Sequence, residues 1–231
     1  MFIFFDLDDT LGDHQTAVEL AVSVFHQRFA QDLTLSGAEF LKSWREISDN
    51  TNELYLQGKM SLIEIRREHM RQVFADTGRN LSTEEADERF QFYLEHYEAN
   101  WKPFDDVLPC LDRLSNDNLG LISNGDFEQQ HRKLKQAQLK DRFSTIVISS
   151  EIGVHKPTPK IFLEACRRAK VDPRDAFYVG DSFNMDVLPS RAVGMTGVWL
   201  NRKDLPLPNL DTPVITSLYE CEKLWPRNSL P

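Results

Sequence analysis

The apolar run Phe2-Ile3-Phe4-Phe5 leads directly into Asp6, with Asp8 and Asp9 close behind. Carboxylates at that spacing repel one another: two of them ~4 Å apart cost about 4 kcal/mol at an effective dielectric of ~20. A divalent cation, an ammonium or both must offset them. Three later stretches carry further chemistry. Ser123-Asn124-Gly125-Asp126 offers a hydroxyl and an amide, His155-Lys156-Pro157 a cation, and Gly180-Asp181-Ser182, with Asn184 and Asp186 following, two more carboxylates. Asp6, Asp8 and Asp181 brought together would make a hard-oxygen site of the kind magnesium takes, and Lys156 would supply the ammonium. Such a set suits phosphoryl transfer. One carboxylate can attack phosphorus and form an aspartyl phosphate. A second can protonate the departing alcohol and then activate water. The cations and Ser123, with the backbone N–H groups after it, can stabilise the phosphoryl oxygens.

Those residues must be positioned by elements of the right kind. FIFF, LGLIS, TIVISS, AFYVG and TGVWL are short apolar runs rich in β-formers, as expected of strands buried on both faces of a parallel sheet. Helical patterns alternate with them: DDVLPCLDRLS, FEQQHRKLKQAQL, TPKIFLEACRRAK and a short helix from about Asn184. The final stretch from Asn201 reads as a loop, an edge strand and a last helix. In an open parallel sheet, ligands bind at the carboxyl ends of the strands, and each candidate residue follows a strand.

The eleven prolines mark a boundary, because all of them lie at or after Pro103. Between Asp13 and Lys102 the pattern is helical throughout. Val18, Ala21, Val22, Phe25 and Phe29 recur at three- and four-residue spacings, as do Phe40, Leu41, Trp44 and Ile47. Leu62, Ile63, Met70, Val73 and Phe74 form a third stripe, and Phe90, Tyr93, Leu94, Tyr97 and Trp101 a fourth. These aromatic stripes read as a core. Gly37, Gly58 and Gly78 fall at the expected connections, and Ser61 and Ser82 at N-caps. The organisation that follows is α/β: a Rossmann-like parallel-sheet core from residues 1–12 and 103–231, with a helical cap domain of residues 13–102 inserted after the first strand.

A chain of 231 residues with 41% hydrophobic content can bury a substantial core. A net charge of −9 argues against a general binder of nucleic acid or anionic membrane. No segment approaches the ~20 apolar residues of a membrane span and no basic stretch precedes an apolar one, so a cytoplasmic protein is expected. Cys110, Cys166 and Cys221 form no C-x-x-C pair and read as buried small hydrophobes. Taken singly, the candidates have plainer readings. The aspartates can cap helices, Asn124-Gly125 is a turn signal, and Arg66-Arg67 is a solvated face. A lysine at a helix start fits the macrodipole poorly, which favours a working role for Lys156 over a solvated one.

The ordered set DLDDT at 6–10, ISN at 122–124, HKP around Lys156 and GDSFNMD at 180–186 resembles the haloacid dehalogenase-like hydrolase superfamily, in its subfamily with a helical cap after the first strand. The resemblance covers essentially the whole chain. It implies Asp6 as nucleophile and Asp8 as general acid/base. It implies magnesium held by the Asp6 carboxylate, the Asp8 carbonyl and Asp181, with Asp186 near the metal. It also implies phosphate contacts from Ser123 and Asn124, with Lys156 tying the nucleophile to the phosphate. Members that cleave carbon–halogen bonds lack a carboxylate at the position of Asp8, so its presence points to phosphatase chemistry. Asp9 stands where many members have glycine, and Met185 where asparagine is common.

The expectation is therefore a magnesium-dependent phosphatase acting on a small phosphorylated metabolite, a nucleoside monophosphate or a sugar phosphate, as a monomer or homodimer. The cap is expected to close over the site, exclude water and select the leaving group. A phosphomutase would share the aspartate and return the phosphate to a second hydroxyl. A receiver-like phosphoacceptor module would also gather acids, a hydroxyl and a lysine on an open sheet, but the Asp-x-Asp after strand one and the large insertion argue against it.

Overall fold

The computed structural model describes residues 1–114, 118–207 and 211–224. The chain forms two compact units, one of Met1–Asp13 with Lys102–Pro231 and one of His14–Trp101.

In the first unit, five strands are β1 (Phe2–Phe5), β2 (Asn118–Ser123), β3 (Thr145–Ile148), β4 (Ala176–Gly180) and β5 (Thr196–Leu200), and β6 (Val214–Ile215) forms an edge. They make a parallel sheet in the order β3-β2-β1-β4-β5-β6, a Rossmann-like arrangement. Its strands read as unbroken apolar runs because both faces are covered. Ile3 and Phe5 pack on one face with Leu121, Val179 and Val198. Phe2 and Phe4 pack on the other with Ile122, Val147 and Tyr178. The period of two thus splits β1 between two cores. β1 lies between β2 and β4, so the residues after these three strands are neighbours at one rim.

TIVISS departs from expectation. β3 stops at Ile148, and Ser149 opens a one-turn helix through Ile152 that ends at Gly153 in the left-handed region (φ 65°). The Ser149 and Ser150 hydroxyls accept the N–H groups of Gly125 and Phe127, so these serines serve the loop after β2 and do not extend a strand. The cysteines follow their reading as buried small hydrophobes: Cys110, Cys166 and Cys221 are all free and buried. Expectations for residues 115–117, 208–210 and 225–231 lie outside the described residues.

The second unit holds α1 (His14–Arg28), α2 (Gly37–Leu56), α3 (Leu62–Val73) and α4 (Thr83–Ala99). Ser61 and Ser82 cap α3 and α4, each accepting from the backbone of a glutamate whose carboxylate reaches back to the serine N–H (Glu64 and Glu85). The unit's core centres on Phe25, with rings of Phe40, Trp44 and Phe74 around it. The third stripe is placed differently from its reading. Ile63 is exposed and Ile65 is buried in its stead, because Ile65, His69 and Met70 share the inward face at four- and five-residue offsets. Among the described residues, no helix is long and apolar enough to cross a membrane.

Candidate active site

The rim of the sheet gathers its polar groups from three neighbouring strand ends. Asp6 continues the β1 ladder by one bond, its N–H donating to Val179 O at 2.9 Å. The backbone then turns sharply: Leu11 N and Gly12 N both donate to Leu7 O. Asp9 takes the left-handed conformation this turn demands (φ 57°), which asparagine and aspartate tolerate better than most residues. Asp9 is thus explained by the backbone. The same turn sends the Asp6 and Asp8 carboxylates to different partners.

Asp6 is buried and meets Lys156, whose ammonium donates to Asp6 Oδ1 at 2.6 Å, Asp186 Oδ1 at 2.7 Å and Tyr178 Oη at 3.1 Å. Asp186 comes from a π-helical turn, Phe183–Val187, that follows β4 and precedes the short helix Leu188–Ala192. Its carboxylate also accepts from Ser182 N at 3.0 Å and lies 3.1 Å from Tyr178 Oη. Gly180 makes room for it, because a Cβ at 180 would stand 2.5 Å from the Asp186 side chain. Asp181 is fixed through its backbone, its N–H bonded to Thr10 Oγ1 at 3.0 Å and its carbonyl to Trp199 Nε1 at 2.9 Å. Its carboxylate takes a longer bond of 3.4 Å from Thr10.

One carboxylate oxygen from each of Asp6, Asp181 and Asp186 lies within 4.8 Å of the others. Three acids therefore face one ammonium. Burial, reinforced by Asp186 and Asp9, pushes the Asp181 carboxyl up to about 7. Burial also pushes Asp6 well above the carboxylate range; Lys156 opposes this shift, while Asp186 and Asp181 add to it. For Lys156, burial alone would lower the ammonium, but Asp186 and Asp6 outweigh it and hold it firmly charged. The excess of buried negative charge and the all-oxygen donor set fit a hard divalent cation such as magnesium.

The Asp8 carboxylate lies apart from this group. Its Oδ1 pairs with the ammonium of Lys133, and its Oδ2 accepts from Gln130 Nε2 at 2.8 Å. Both partners come from α5 (Phe127–Gln136), capped by Asp126. The same Gln130 amide nitrogen lies 2.9 Å from Ser123 Oγ and 3.0 Å from Asn124 O. Ser123, fully buried at the end of β2, is thus tied to Asp8 through Gln130. The Asn124 side-chain amide accepts from Lys156 N at 2.8 Å and donates to Lys156 O at 3.1 Å, so that group sets the lysine backbone in place.

Lys133, Gln130 and Tyr178 escaped the sequence reading. Tyr178 looked like any core residue of AFYVG. FEQQHRKLKQAQL looked like a charged helix, yet Gln130, Lys133, Leu134 and Ala137 follow the spacing of one buried face, a usable signal. A further support went unread. Arg202 grips Asp106 with two 2.8 Å bonds and reaches Thr10 O at 2.9 Å, with its guanidinium 4.1 Å above the Phe104 ring. Asp106 also accepts from Ser217 Oγ and Leu218 N. Burial alone would raise its carboxyl, but these donors hold it below the usual range.

Comparison with known proteins places this geometry. Residues 1–194 match the family described as haloacid dehalogenase-like hydrolase. A glyceraldehyde 3-phosphate phosphatase of Methanopyrus kandleri is 42% identical over 106 residues, 45% of this chain and 46% of that protein, so the match spans about half of the relative's length. The human N-acylneuraminate-9-phosphatase is 24% identical over 95% of each chain. Among solved structures, that of the HAD-hydrolase YfnB from Bacillus subtilis superposes with a TM-score of 0.81 at 22% identity, covering 96% of this chain and 97% of that one.

Proposed function

This chain belongs to the haloacid dehalogenase-like hydrolase family, and we propose that it is a magnesium-dependent phosphatase that hydrolyses a small phosphomonoester through an aspartyl phosphate. The observation that carries this reading is the separation of two carboxylates two residues apart: Asp6 beside Lys156 and the acidic group, Asp8 beside Lys133 and Gln130. That arrangement suits a nucleophile and a proton-transfer group that work on opposite sides of one phosphorus atom.

In the first step an Asp6 carboxylate oxygen attacks phosphorus and the bond from phosphorus to the ester oxygen breaks. The departing alkoxide takes a proton from the Asp8 carboxyl and leaves as an alcohol. In the second step water attacks the same phosphorus and gives its proton to Asp8. The bond from phosphorus to Asp6 breaks, and inorganic phosphate departs. Lys156, held by Asn124, keeps Asp6 oriented and adds positive charge beside the phosphoryl oxygens. Ser123 hydrogen-bonds a phosphoryl oxygen. Asp6, Asp181 and Asp186, with the Asp8 carbonyl, would hold magnesium, which when bound neutralises charge on the phosphoryl group.

The names of the phosphatase relatives support a small phosphorylated metabolite of the sugar-phosphate kind as substrate, with a nucleoside monophosphate as the second class to be tested. The test is release of inorganic phosphate from a panel of sugar phosphates, nucleotides and p-nitrophenyl phosphate, with magnesium or EDTA, for the wild type and Asp6→Asn. Magnesium-dependent release that Asp6→Asn abolishes is expected. Phosphate moved to a second hydroxyl of the product would make the protein a mutase. No release, together with no magnesium binding, would overturn the reading.

A further inference from the structure

We infer that Gln130 and Lys133 form a cradle on α5 that positions Asp8 for the second half of the reaction, the attack of water on the phosphorylated enzyme. The inference rests on the phosphatase reading and adds to it two positioning residues from a helix outside the four motifs.

The geometry is specific. Gln130 and Lys133 are three positions apart, so they share one face of the helix. Each takes one oxygen of the same carboxylate: Gln130 Nε2 lies 2.8 Å from Asp8 Oδ2, and the Lys133 ammonium pairs with Oδ1. With both oxygens engaged, rotation of the carboxylate about its last bond is removed. Both cradle residues are buried, Gln130 at 2% and Lys133 at 4% exposure. The Asp8 side chain, by contrast, keeps 29% of its surface open. A purely structural ion pair has no need to bury the cation and leave the anion at the rim. A carboxylate that must meet water and a departing alcohol does.

Gln130 also ties Asp8 to the phosphate side of the site. Its amide nitrogen lies within 3.0 Å of Ser123 Oγ and of Asn124 O, so one side chain spans the ends of β1 and β2. The backbone makes way for it. Gly125 has φ 139°, and a Cβ there would stand 3.0 Å from the Gln130 amide nitrogen. Moving Asp8 relative to Ser123 therefore means breaking the Gln130 contacts first.

A positioning role has a kinetic signature that a structural one lacks. p-Nitrophenolate leaves without needing a proton, so phosphorylation of Asp6 by p-nitrophenyl phosphate does not depend on Asp8. Hydrolysis of the aspartyl phosphate does. The experiment is rapid-quench measurement on the full chain with magnesium, following the first-turnover burst of p-nitrophenolate and the decay of acid-quenched phosphoenzyme, for the wild type, Lys133→Met, Lys133→Arg and Gln130→Leu. Loss of positioning should slow phosphoenzyme decay about tenfold or more in Lys133→Met and Gln130→Leu, within the range of general acid–base effects. The burst rate per folded molecule should stay close to wild type, and Lys133→Arg should recover part of the decay rate. Lys133→Met could unfold the protein, since it leaves Asp8 without its cation; Gln130→Leu removes no charge and keeps the test open. Burst and decay falling together, or decay unchanged in the folded variants, would overturn the cradle while leaving the phosphatase reading intact. A wild type that forms no phosphoenzyme and releases no phosphate would instead overturn the reading on which the cradle rests.

Discussion

Asn124 and Lys156 are joined by two hydrogen bonds, the side-chain amide of one accepting the N–H and donating to the carbonyl of the other at 2.8 and 3.1 Å. The loop after β2 thereby aims a lysine that lies 32 residues further along the chain. Asn124→Ala leaves both backbone groups without these partners, an expected loss of about 1–3 kcal/mol. Activity should fall through kcat as the ammonium loses its aim. Asn124→Asp keeps an acceptor for the N–H but sets an oxygen against the Lys156 carbonyl, so it should not rescue either property. Urea midpoints and steady-state kinetics check both statements, and an Asn124→Ala protein of wild-type stability and kcat would refute them.

The crowding of Asp6, Asp181 and Asp186 makes metal-free stability depend on pH. Burial lifts the Asp181 carboxyl from 3.8 to about 7 and raises Asp6 in the same direction. The folded state then holds protons that the unfolded state has released. Stability of the metal-free protein should fall as pH rises from 3.8 towards about 7, and the full penalty should be present above that window. Lys156 is raised from 10.5, so it contributes nothing to the slope in this range. Magnesium binds the ionised carboxylates, so its stabilising effect should be larger at about pH 8 than at about pH 5.5. Thermal melts with EDTA or magnesium at the two pH values test this, and equal shifts at both would sink it.

Asp181→Asn removes one of three like charges while keeping the backbone bonds to Thr10 and Trp199. Without metal at about pH 8, this substitution should raise stability by up to about 4 kcal/mol, the scale of a carboxyl displaced from 3.8 to about 7. It should also remove most of the response to magnesium. Denaturant midpoints in EDTA decide the first point and melts with magnesium the second. A variant that is less stable in EDTA would show that the cluster is not strained by its own charge.

Gly180 and Gly153 offer a paired comparison. A Cβ at 180 would stand 2.5 Å from the Asp186 side chain, whereas at 153 it would meet open space on a left-handed backbone (φ 65°). Gly180→Ala should displace Asp186 from Lys156, lower stability by about 1–3 kcal/mol as overpacking does, and reduce the melting shift produced by magnesium. Gly153→Ala should cost about 1–2 kcal/mol of backbone strain and leave the magnesium shift intact. Equal responses to magnesium in both variants would count against a metal role for Asp186.

The helical unit depends on one ring. Phe25 is fully buried and its centroid lies 4.6–6.3 Å from those of Phe29, Phe40, Trp44, Phe74 and Phe92. Phe25→Ala should cost about 3–5 kcal/mol. Leu20→Ala, on the exposed side of the same helix, should change little. Chemical denaturation compares them directly.

Much of this molecule was legible before folding. The doubly covered sheet follows from apolar runs without alternation, and three of the five runs break at a group that could do chemistry: Asp6, Ser123 and Asp181. The order of those breaks, with Lys156 between the last two, pointed to one rim of the sheet, because parallel strands leave their carboxyl ends on one side. Helix faces were legible as stripes, although Ile63 and Ile65 show that a stripe's rotation can be misread when several apolar residues sit within one turn.

Tertiary structure alone decided how the charges were shared. Asp6 and Asp8 are two residues apart and meet different lysines, because a tight turn after β1 points one at Lys156 and the other at Lys133, 125 residues away. What the Asn124 amide found opposite it depended equally on a distant segment arriving at one place. Spacing along the chain determines which side chains share a face. What a buried charge or amide finds opposite it is set by packing between elements, and there an unpaired polar group costs enough free energy that its partner, wherever it lies in the chain, is part of the fold.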